Sequence, residues 1–347
     1  MSVTTMNENK SALKSREIKS YRKMELVKPR KEVKLVINIP CYNEEGTLPL
    51  VLCELPKKIE GVDKIEVQIV DDGSTDGTIE VARKAKVNRI IRHRKNKGLG
   101  IAFKHGLQAA LDSGADIFVN TDADNQYPSK YIPELVKPIV ECRADLVIGN
   151  RRPWKVKHFS PLKRILQWFG NGITRKILGS DIPDTVSGFR AYSRDAMLRI
   201  NVVTKFSYVL DTIMQAVQKD LRIESIDIDT NLPTRKSRLF KNIFQHIRKS
   251  GLNLIRIFYL YEPLKTFNLA SIIFFVPGII LLARWFVFYF FDLGGGNIQS
   301  LIISAILLIT SVLLFALGII GDSIKTNRIL VEDVLYNLKK KDYNGGI

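Results

Sequence analysis

The sequence is poor in the residues that build disulfide frameworks and histidine sites. It holds three Cys in 347 residues, Cys41, Cys53 and Cys142, an odd number without zinc-ligand spacing. This excludes a disulfide-stapled scaffold and fits reduced thiols in a cytosolic domain. The four His are scattered, which argues against a His-based metal centre or a His-centred triad. Acidic residues are also outnumbered: 35 Asp and Glu stand against 53 Lys and Arg, for a net charge of +18. Such an excess suits nucleic acid, an anionic membrane surface or phosphorylated substrates. No stripe of alternating aromatic and basic residues supports the first of these, so no nucleic-acid partner is expected. The N-terminus lacks an apolar core of the signal-peptide type. Residues 1–32 are polar and basic, and no apolar periodicity starts before Val33. They read as a flexible arm. Attraction to anionic headgroups is the functional alternative, worth roughly 1 kcal/mol per basic residue close to the surface.

What is present centres on residues 118–128, FVNTDADNQYP. A buried strand (Ile117, Phe118, Val119) gives way to carboxylates and amides. Asp122 and Asp124 are one residue apart, and Gln126 repeats the spacing. Oxygen-only donors with positions left open suit Mg²⁺ or Mn²⁺. Alone, an Asp-x-Asp marks only a polar turn; its company gives it weight.

Residues 33–150 alternate strand and helix. Strands are expected at Val33–Pro40, Val67–Val70, Arg89–Ile91, Ile117–Val119 and Asp145–Gly149, and helices at Thr47–Ile59, Thr78–Ala85 and Tyr131–Glu141. Between the third and fourth strands, Leu99, Phe103, Leu107 and Leu111 recur at spacing four, one apolar helix face. This order implies an α/β fold with a mostly parallel sheet covered on both faces. Ligands of such sheets bind at the carboxyl ends of the strands. Four polar clusters fall there: residues 40–45, 71–76, 122–126 and 150–152. Residues 151–235 are less regular. A helix with basic and apolar faces is expected over 161–178. Ser187-Gly188 is a turn that lets backbone approach a ligand. Arg190 reads either as a phosphate fork or as a surface Arg after the turn.

Residues 267–291 contain one charge, Arg284, and residues 298–320 contain none. Each segment exceeds the roughly 20 residues a bilayer requires. The linker between them lacks Lys and Arg, whereas both outer flanks are basic. The positive-inside rule then puts the catalytic domain and both termini in the cytoplasm. Ahead of the spans, Phe240, Ile243, Phe244 and Ile247 make residues 239–258 a basic amphipathic segment, expected at the interface. The expected organisation is an arm at 1–32, a catalytic domain at 33–236, interfacial helices at 237–262, a membrane hairpin at 263–322 and a cytoplasmic tail at 323–347. Lys339–Lys341 in that tail read as a headgroup contact or solvated charge. Paired spans also offer a surface for self-association into a homo-oligomer.

Five segments in order carry a resemblance: Pro40-Cys41-Tyr42-Asn43-Glu44-Glu45, Val70-Asp71-Asp72-Gly73-Ser74-Thr75-Asp76, Asn96-Lys97-Gly98-Leu99-Gly100, Asp122-Ala123-Asp124-Asn125-Gln126 and Ser187-Gly188-Phe189-Arg190-Ala191-Tyr192. Over residues 33–240 the chain resembles glycosyltransferase family 2, and within it the polyprenyl-phosphate glycosyltransferases. The resemblance implies a GT-A catalytic domain, a Rossmann-like nucleotide-sugar fold. It implies a GDP- or UDP-sugar donor, a polyprenyl-phosphate acceptor and a divalent cation. Pro40, Tyr42 and Glu44 match the motif holding base and ribose. Asp71 or Asp72 matches the acidic contact, and Lys97 and Gly98 a loop beside the nucleotide. Asp122 and Asp124 match the family's Asp-x-Asp, with Asp124 and Gln126 similar to metal ligands. Arg151 matches a basic residue near the acceptor phosphate, and Arg190 sits in a motif linked to phosphate. Arg235, Ser237 and Arg238 resemble a loop that closes over the site. The family usually has Leu where Asn125 stands. Asp211 occupies an acidic helix position of open role. No Gln-x-x-Arg-Trp element of processive synthases is present. Two other readings compete: transfer to a glycerolipid hydroxyl with Asp211 as base, and a non-catalytic partner with a transferase fold. Intact Asp122, Asp124, Gln126 and Arg190 speak against the latter.

Overall fold

A computed structural model describes residues 32–152, 172, 182–202, 208–232, 251, 259–291 and 298–344. The basic arm, the helix over 161–178 and the amphipathic segment over 239–258 fall outside these residues apart from single positions. Arg235, Ser237 and Arg238 lie outside them altogether.

In chain order the elements are β1 (Lys34–Cys41), α1 (Leu48–Glu54), β2 (Lys64–Asp71), α2 (Thr78–Lys84), β3 (Arg89–Arg92), α3 (Leu99–Asp112), β4 (Ile117–Asn120), a 3₁₀ turn (Ser129–Tyr131), α4 (Ile132–Val140), β5 (Leu146–Asn150), β6 (Arg190–Ser193), α5 (Arg194–Arg199), α6 (Val209–Gln218), β7 (Ile223–Asp227), α7 (Pro263–Phe290) and α8 (Ile298–Asn344). Among the described residues, seven strands form one sheet in the order β3-β2-β1-β4-β6-β5-β7. Every pairing is parallel except those of β6, which runs antiparallel to β4 and β5.

The expected helix over Thr47–Ile59 ends early, at Glu54. Leu55 precedes Pro56 and is extended (φ −62°, ψ 135°), as the residue before proline prefers. Strands β6 and β7 were not anticipated. Each is short, and β6 follows a turn-rich segment whose Arg190 read as a loop residue.

Alternation along β1 explains the two cores. Leu35, Ile37 and Ile39 point to one face and pack with Leu48, Val51, Leu135 and Phe189. Val36 points to the other and packs with Phe103, Phe118, Tyr192 and Met214. Both faces are covered, so the strand reads as a continuous apolar run. A polar thread crosses this interior. Gln68 Nε2 donates to Asn38 Oδ1 (2.8 Å), and Asn38 Nδ2 donates to Asn120 Oδ1 (2.7 Å). Asn120 Nδ2 then donates to the Tyr208 hydroxyl (2.8 Å). The thread joins β2, β1 and β4 and ends beside the strand-carboxyl edge.

Helices α7 and α8 are each long and apolar enough to cross a membrane. Their outer faces expose Ile273, Ile280, Phe290, Ile309 and Val312. They pack closely together: Ser271 and Ser311 hydroxyls lie 2.9 Å apart, and Gly278 abuts Leu308. Small residues allow such approach between spans. Arg284 is exposed and its guanidinium lies 5.5 Å from the Phe288 ring. The tail departs from expectation. Helix α8 continues unbroken past residue 320 to Asn344 and docks on the α/β domain. Tyr336 donates to Asp195 (2.8 Å), Lys339 donates to Asn201 Oδ1 (2.7 Å), and Tyr343 donates to Asp112 (2.6 Å). Lys339 is therefore a docking residue, part-buried rather than a solvated or headgroup-facing charge.

Candidate active site

The carboxyl ends of β1, β2, β4 and β5 bring the candidate residues to one edge. After β4 the chain turns, and burial alternates from residue to residue. Asp122, Asp124 and Gln126 are half-buried, whereas Ala123, Asn125 and Tyr127 between them are buried. The three oxygen-bearing side chains are thus the more accessible ones of this turn, and the residues next to them anchor it. Asn125 has φ 55°, the left-handed region that Asn tolerates well. The Gln126 N–H donates to Asp124 Oδ1 (3.1 Å), which closes the turn. Tyr127 stacks on Phe189 with centroids 5.2 Å apart, and its hydroxyl accepts from the Gly188 N–H (3.3 Å).

Gly188 borders Asp122. A Cβ there would lie 3.5 Å from Asp122 Oδ2 and 2.9 Å from the Tyr208 hydroxyl. Tyr208 also stacks on Phe103 at 4.0 Å and donates to the Gly188 carbonyl (3.2 Å). Burial, then the charge of Asp122, pushes its phenol well above the ordinary range, so it remains a donor. Asn231, beyond β7, clamps the same loop. Its N–H donates to the Gln126 carbonyl (3.0 Å) and its Nδ2 to the Asn125 carbonyl (2.9 Å).

The loops after β1 and β2 are laced together. Pro40 lies within β1, and the exposed Tyr42 follows it. Glu44 is buried; its N–H donates to Thr78 Oγ1 (2.8 Å) and its carboxylate accepts from Thr47 (2.6 Å). Asn43 and Ser74 are joined at 2.9 Å. Asp71 and Asp72 now separate into two roles. Asp72 spends both oxygens inside the protein, accepting from the Lys97 and Gly98 N–H groups (2.8 Å each). Its Oδ1 also lies 2.7 Å from His93 Nδ1. Asp72 thereby shapes the loop before α3, where Gly98 has φ 96° and admits only glycine without strain. Asp71 Oδ1 accepts from the Ser74 N–H (3.1 Å), while Oδ2 has no hydrogen-bond partner and sits 3.7 Å from Arg92 Nε.

Arg190 differs from the phosphate fork considered above. Its side chain is fully buried, and its guanidinium donates to the carbonyls of Ser187 (2.8 Å), Val209 (2.7 Å) and Thr185 (3.1 Å) and to Thr212 Oγ1 (2.8 Å). It positions the Thr185–Gly188 loop from behind. Arg151 stays at the edge, part-buried, and grips Asp184. Burial alone would raise the Asp184 carboxyl, but the adjacent Arg151 charge and its hydrogen bonds hold it below its ordinary range. Asp211 is buried and accepts from the Tyr261 hydroxyl and Gln215. That geometry ties it to the protein rather than presenting it as a base.

Tyr208, Asn231, Asp184 and His93 were not assigned roles from the sequence. Two of the scattered His do meet: His93 Nε2 is 2.8 Å from His105 Nδ1. Among the described residues no three His, Cys, Asp or Glu side chains converge as a metal cage. Asp122, Asp124 and Gln126, on the turn after β4, are half-buried oxygen donors at this edge. Such a set leaves most positions to waters and substrate phosphates, the manner in which Mg²⁺ binds.

Residues 36–200 match the family model described as glycosyl transferase family 2. The chain is 35% identical over 170 residues to an undecaprenyl-phosphate mannosyltransferase of Micrococcus luteus, covering 47% of this chain and 68% of that protein. It is 28% identical over 213 residues to a UDP-N-acetylglucosamine–dolichyl-phosphate N-acetylglucosaminyltransferase of Methanococcus voltae, covering 55% and 83%. A crystal structure of Mycobacterium tuberculosis glucosyl-3-phosphoglycerate synthase with uridine diphosphate aligns over 65% of this chain and 80% of that one, with TM-score 0.51 and 20% identity. That likeness concerns the GT-A fold.

Proposed function

Because the chain belongs to glycosyltransferase family 2, we propose that it moves a sugar from a nucleoside diphosphate sugar to a polyprenyl phosphate at the cytoplasmic face of a membrane. One observation carries the reading. The half-buried oxygen donors Asp122, Asp124 and Gln126 belong to the same domain on which a membrane-length helix is docked. Relatives named for undecaprenyl-phosphate and dolichyl-phosphate transfer support the acceptor class. They differ in sugar, so the sugar of this chain is left to experiment.

Asp124 and Gln126 would hold a divalent cation, Mg²⁺ or Mn²⁺, which when bound neutralises charge on the leaving diphosphate. Asp122, buttressed by Gly188 and Tyr208, orients the donor beside them. Asp71, whose Oδ2 has no hydrogen-bond partner, suits a base or ribose N–H or O–H better than Asp72, whose oxygens hold the Lys97–Gly98 loop. Pro40, Tyr42 and Glu44 wall the nucleotide. Arg151 attracts the acceptor phosphate. A phosphate monoester has its second pKa near 6, so its oxygen is already anionic at neutral pH and needs no strong base. The reaction is a single displacement: the acceptor phosphate oxygen bonds the anomeric carbon, the bond to the nucleoside diphosphate breaks, and the configuration inverts.

The test is transfer in liposomes with Mg²⁺ or Mn²⁺, crossing radiolabelled GDP- and UDP-sugars with polyprenyl phosphate and with diacylglycerol. Label in an acid-labile polyprenyl-phosphate product is expected. Label in glycerolipid alone would overturn the acceptor, and retained anomeric configuration would overturn the single displacement.

A further inference from the structure

The docking of α8 fixes which edge of the sheet faces the spans. Gly321 on α8 abuts Pro263 at the start of α7: a Cβ there would lie 2.8 Å from the Pro263 side chain. From that level α8 runs on toward Asn344, about 35 Å at 1.5 Å per residue. Its contacts come in sequence. Arg328 Nη2 donates to the Tyr261 hydroxyl (3.0 Å), Glu332 pairs with Lys219 (2.7 Å), Tyr336 meets Asp195, and Tyr343 meets Asp112 at the far end. Asp112 closes α3, and Lys104, two turns earlier on α3, faces Lys339, nearer the spans, so the beginning of α3, beside the Lys97–Gly98 loop, points back toward them. Helix α6 agrees. Lys219 at its end meets Glu332, while Asp211 in its first turn meets Tyr261, nearer the spans. Two helices thus aim the strand-carboxyl edge toward the end of the domain from which the spans leave.

At the nearest point of this junction sits Tyr261. It is 1% exposed, and its hydroxyl donates to Asp211 Oδ1 and accepts from Arg328. The Arg328 guanidinium also lies 4.7 Å from its ring and is held by Glu332 (2.8 Å). Asp211 Oδ2 has no hydrogen-bond partner, so Tyr261 and Gln215 carry that buried carboxylate. Three residues earlier, Tyr208 caps the start of α6 and touches Gly188 and Asn120. The residue that meets Tyr261 and the residue that meets the Gly188 loop are therefore within one turn of each other on α6.

We propose that Tyr261 is a positioning residue. Through Asp211 and Arg328 it locks the catalytic domain at one height and tilt over the bilayer, so that a membrane-held acceptor phosphate meets the Asp122–Asp124 face. The inference rests on the lipid-phosphate acceptor proposed above. Its role is in presenting the lipid rather than in reacting groups, so it predicts a split between acceptors.

The full chain in nanodiscs is assayed with a long-chain polyprenyl phosphate embedded in the bilayer and with a short, water-soluble prenyl phosphate. Tyr261→Phe removes only the hydroxyl. Its KM for the embedded acceptor is expected to rise about fivefold, the size a lost buried hydrogen bond gives. The donor KM and turnover on the soluble acceptor stay at wild-type values. Arg328→Gln, which leaves the Tyr261 ring in place, should give the same split. An unchanged KM for the embedded lipid in both variants overturns the proposal, as does an equal loss on both acceptors, which marks a merely structural residue. Wild-type protein silent on both acceptors overturns the proposed function and this inference with it.

Discussion

The Arg151 guanidinium grips the Asp184 carboxylate with two parallel bonds, Nε to Oδ2 at 2.7 Å and Nη2 to Oδ1 at 2.9 Å. The pair ties the end of β5 to the segment entering β6, across residues distant in sequence. Asp184 is fully buried, so removing its charge strands Arg151 in a poorly solvated place. Asp184→Asn is expected to destabilise the domain by about 3 kcal/mol, the cost of breaking a buried pair from one side. The folded carboxyl titrates below its ordinary value of 3.8. Its contribution to stability is therefore complete above that value and is lost as pH falls through the lower folded one. Thermal melts of wild type and variant should converge as the pH is taken below 3.8. Curves that stay parallel would show that the pair is not the source.

Asp124 is half-buried, and its Oδ1 accepts the Gln126 N–H. Its truncation opens no core cavity, so Asp124→Ala should melt within about 1 kcal/mol of wild type while turnover falls to background. Chelation by EDTA should stop transfer in the wild type, and added Mg²⁺ or Mn²⁺ should restore it. Normal turnover by the variant, with full metal dependence, would remove Asp124 from the site.

Helix α3 was legible because it obeys one local period, and Asp122, Asp124 and Gln126 because their spacing of two recurs at the end of a strand. Phe103, Leu107 and Leu111 are buried as spacing four requires. The parallel strands β1, β2 and β4 were legible as short, mostly apolar stretches bounded by polar turns. Strand β6 was not: four residues carrying Arg190 at the centre of a sheet contradict local preference. Only the carbonyls of Thr185, Ser187 and Val209, brought by tertiary structure, make that burial tolerable. The docking of α8 was hidden for a similar reason. Tyr336, Lys339 and Tyr343 look like an ordinary polar helix until Asp195, Asn201 and Asp112 are placed against them. The roles of Tyr208 and Asn231 also depend on partners far away in the chain.

Two glycines separate stability from chemistry. A Cβ on Gly106 would lie 2.3 Å from Asn38 Oδ1, in the middle of the buried amide thread. Gly106→Ala should cost about 1–3 kcal/mol, as overpacking does, with the remaining folded protein active. A Cβ on Gly188 would instead press the Tyr208 hydroxyl at 2.9 Å and reach Asp122 at 3.5 Å. Gly188→Ala should lower kcat by more than its melting shift explains. Comparing kcat per folded molecule with the melting temperature decides it. Equal kcat in the two variants would deny the Gly188–Tyr208 contact a role in placing Asp122.

Lys339 makes the docking of α8 sensitive to alkaline pH. Burial lowers its pKa first, and the facing charges of Lys219 and Lys104 lower it further, to about 8 against an ordinary 10.5. Glu332 opposes this only in part. The ammonium donates to Asn201 Oδ1 (2.7 Å), yet the site disfavours its charge. When α8 detaches, Lys339 regains its ordinary affinity for a proton. Between about 8 and 10.5 the detached state therefore binds more protons than the docked one. By linkage, docking strengthens as pH rises through that window and gains nothing from Lys339 above it. Hydrogen exchange of residues 332–344, corrected for the intrinsic rate at each pH, should show protection increasing from neutral to mildly alkaline buffer. Lys339→Met removes the titrating group and should flatten that rise. An identical rise in the variant would assign the pH dependence to another group at the α8 interface.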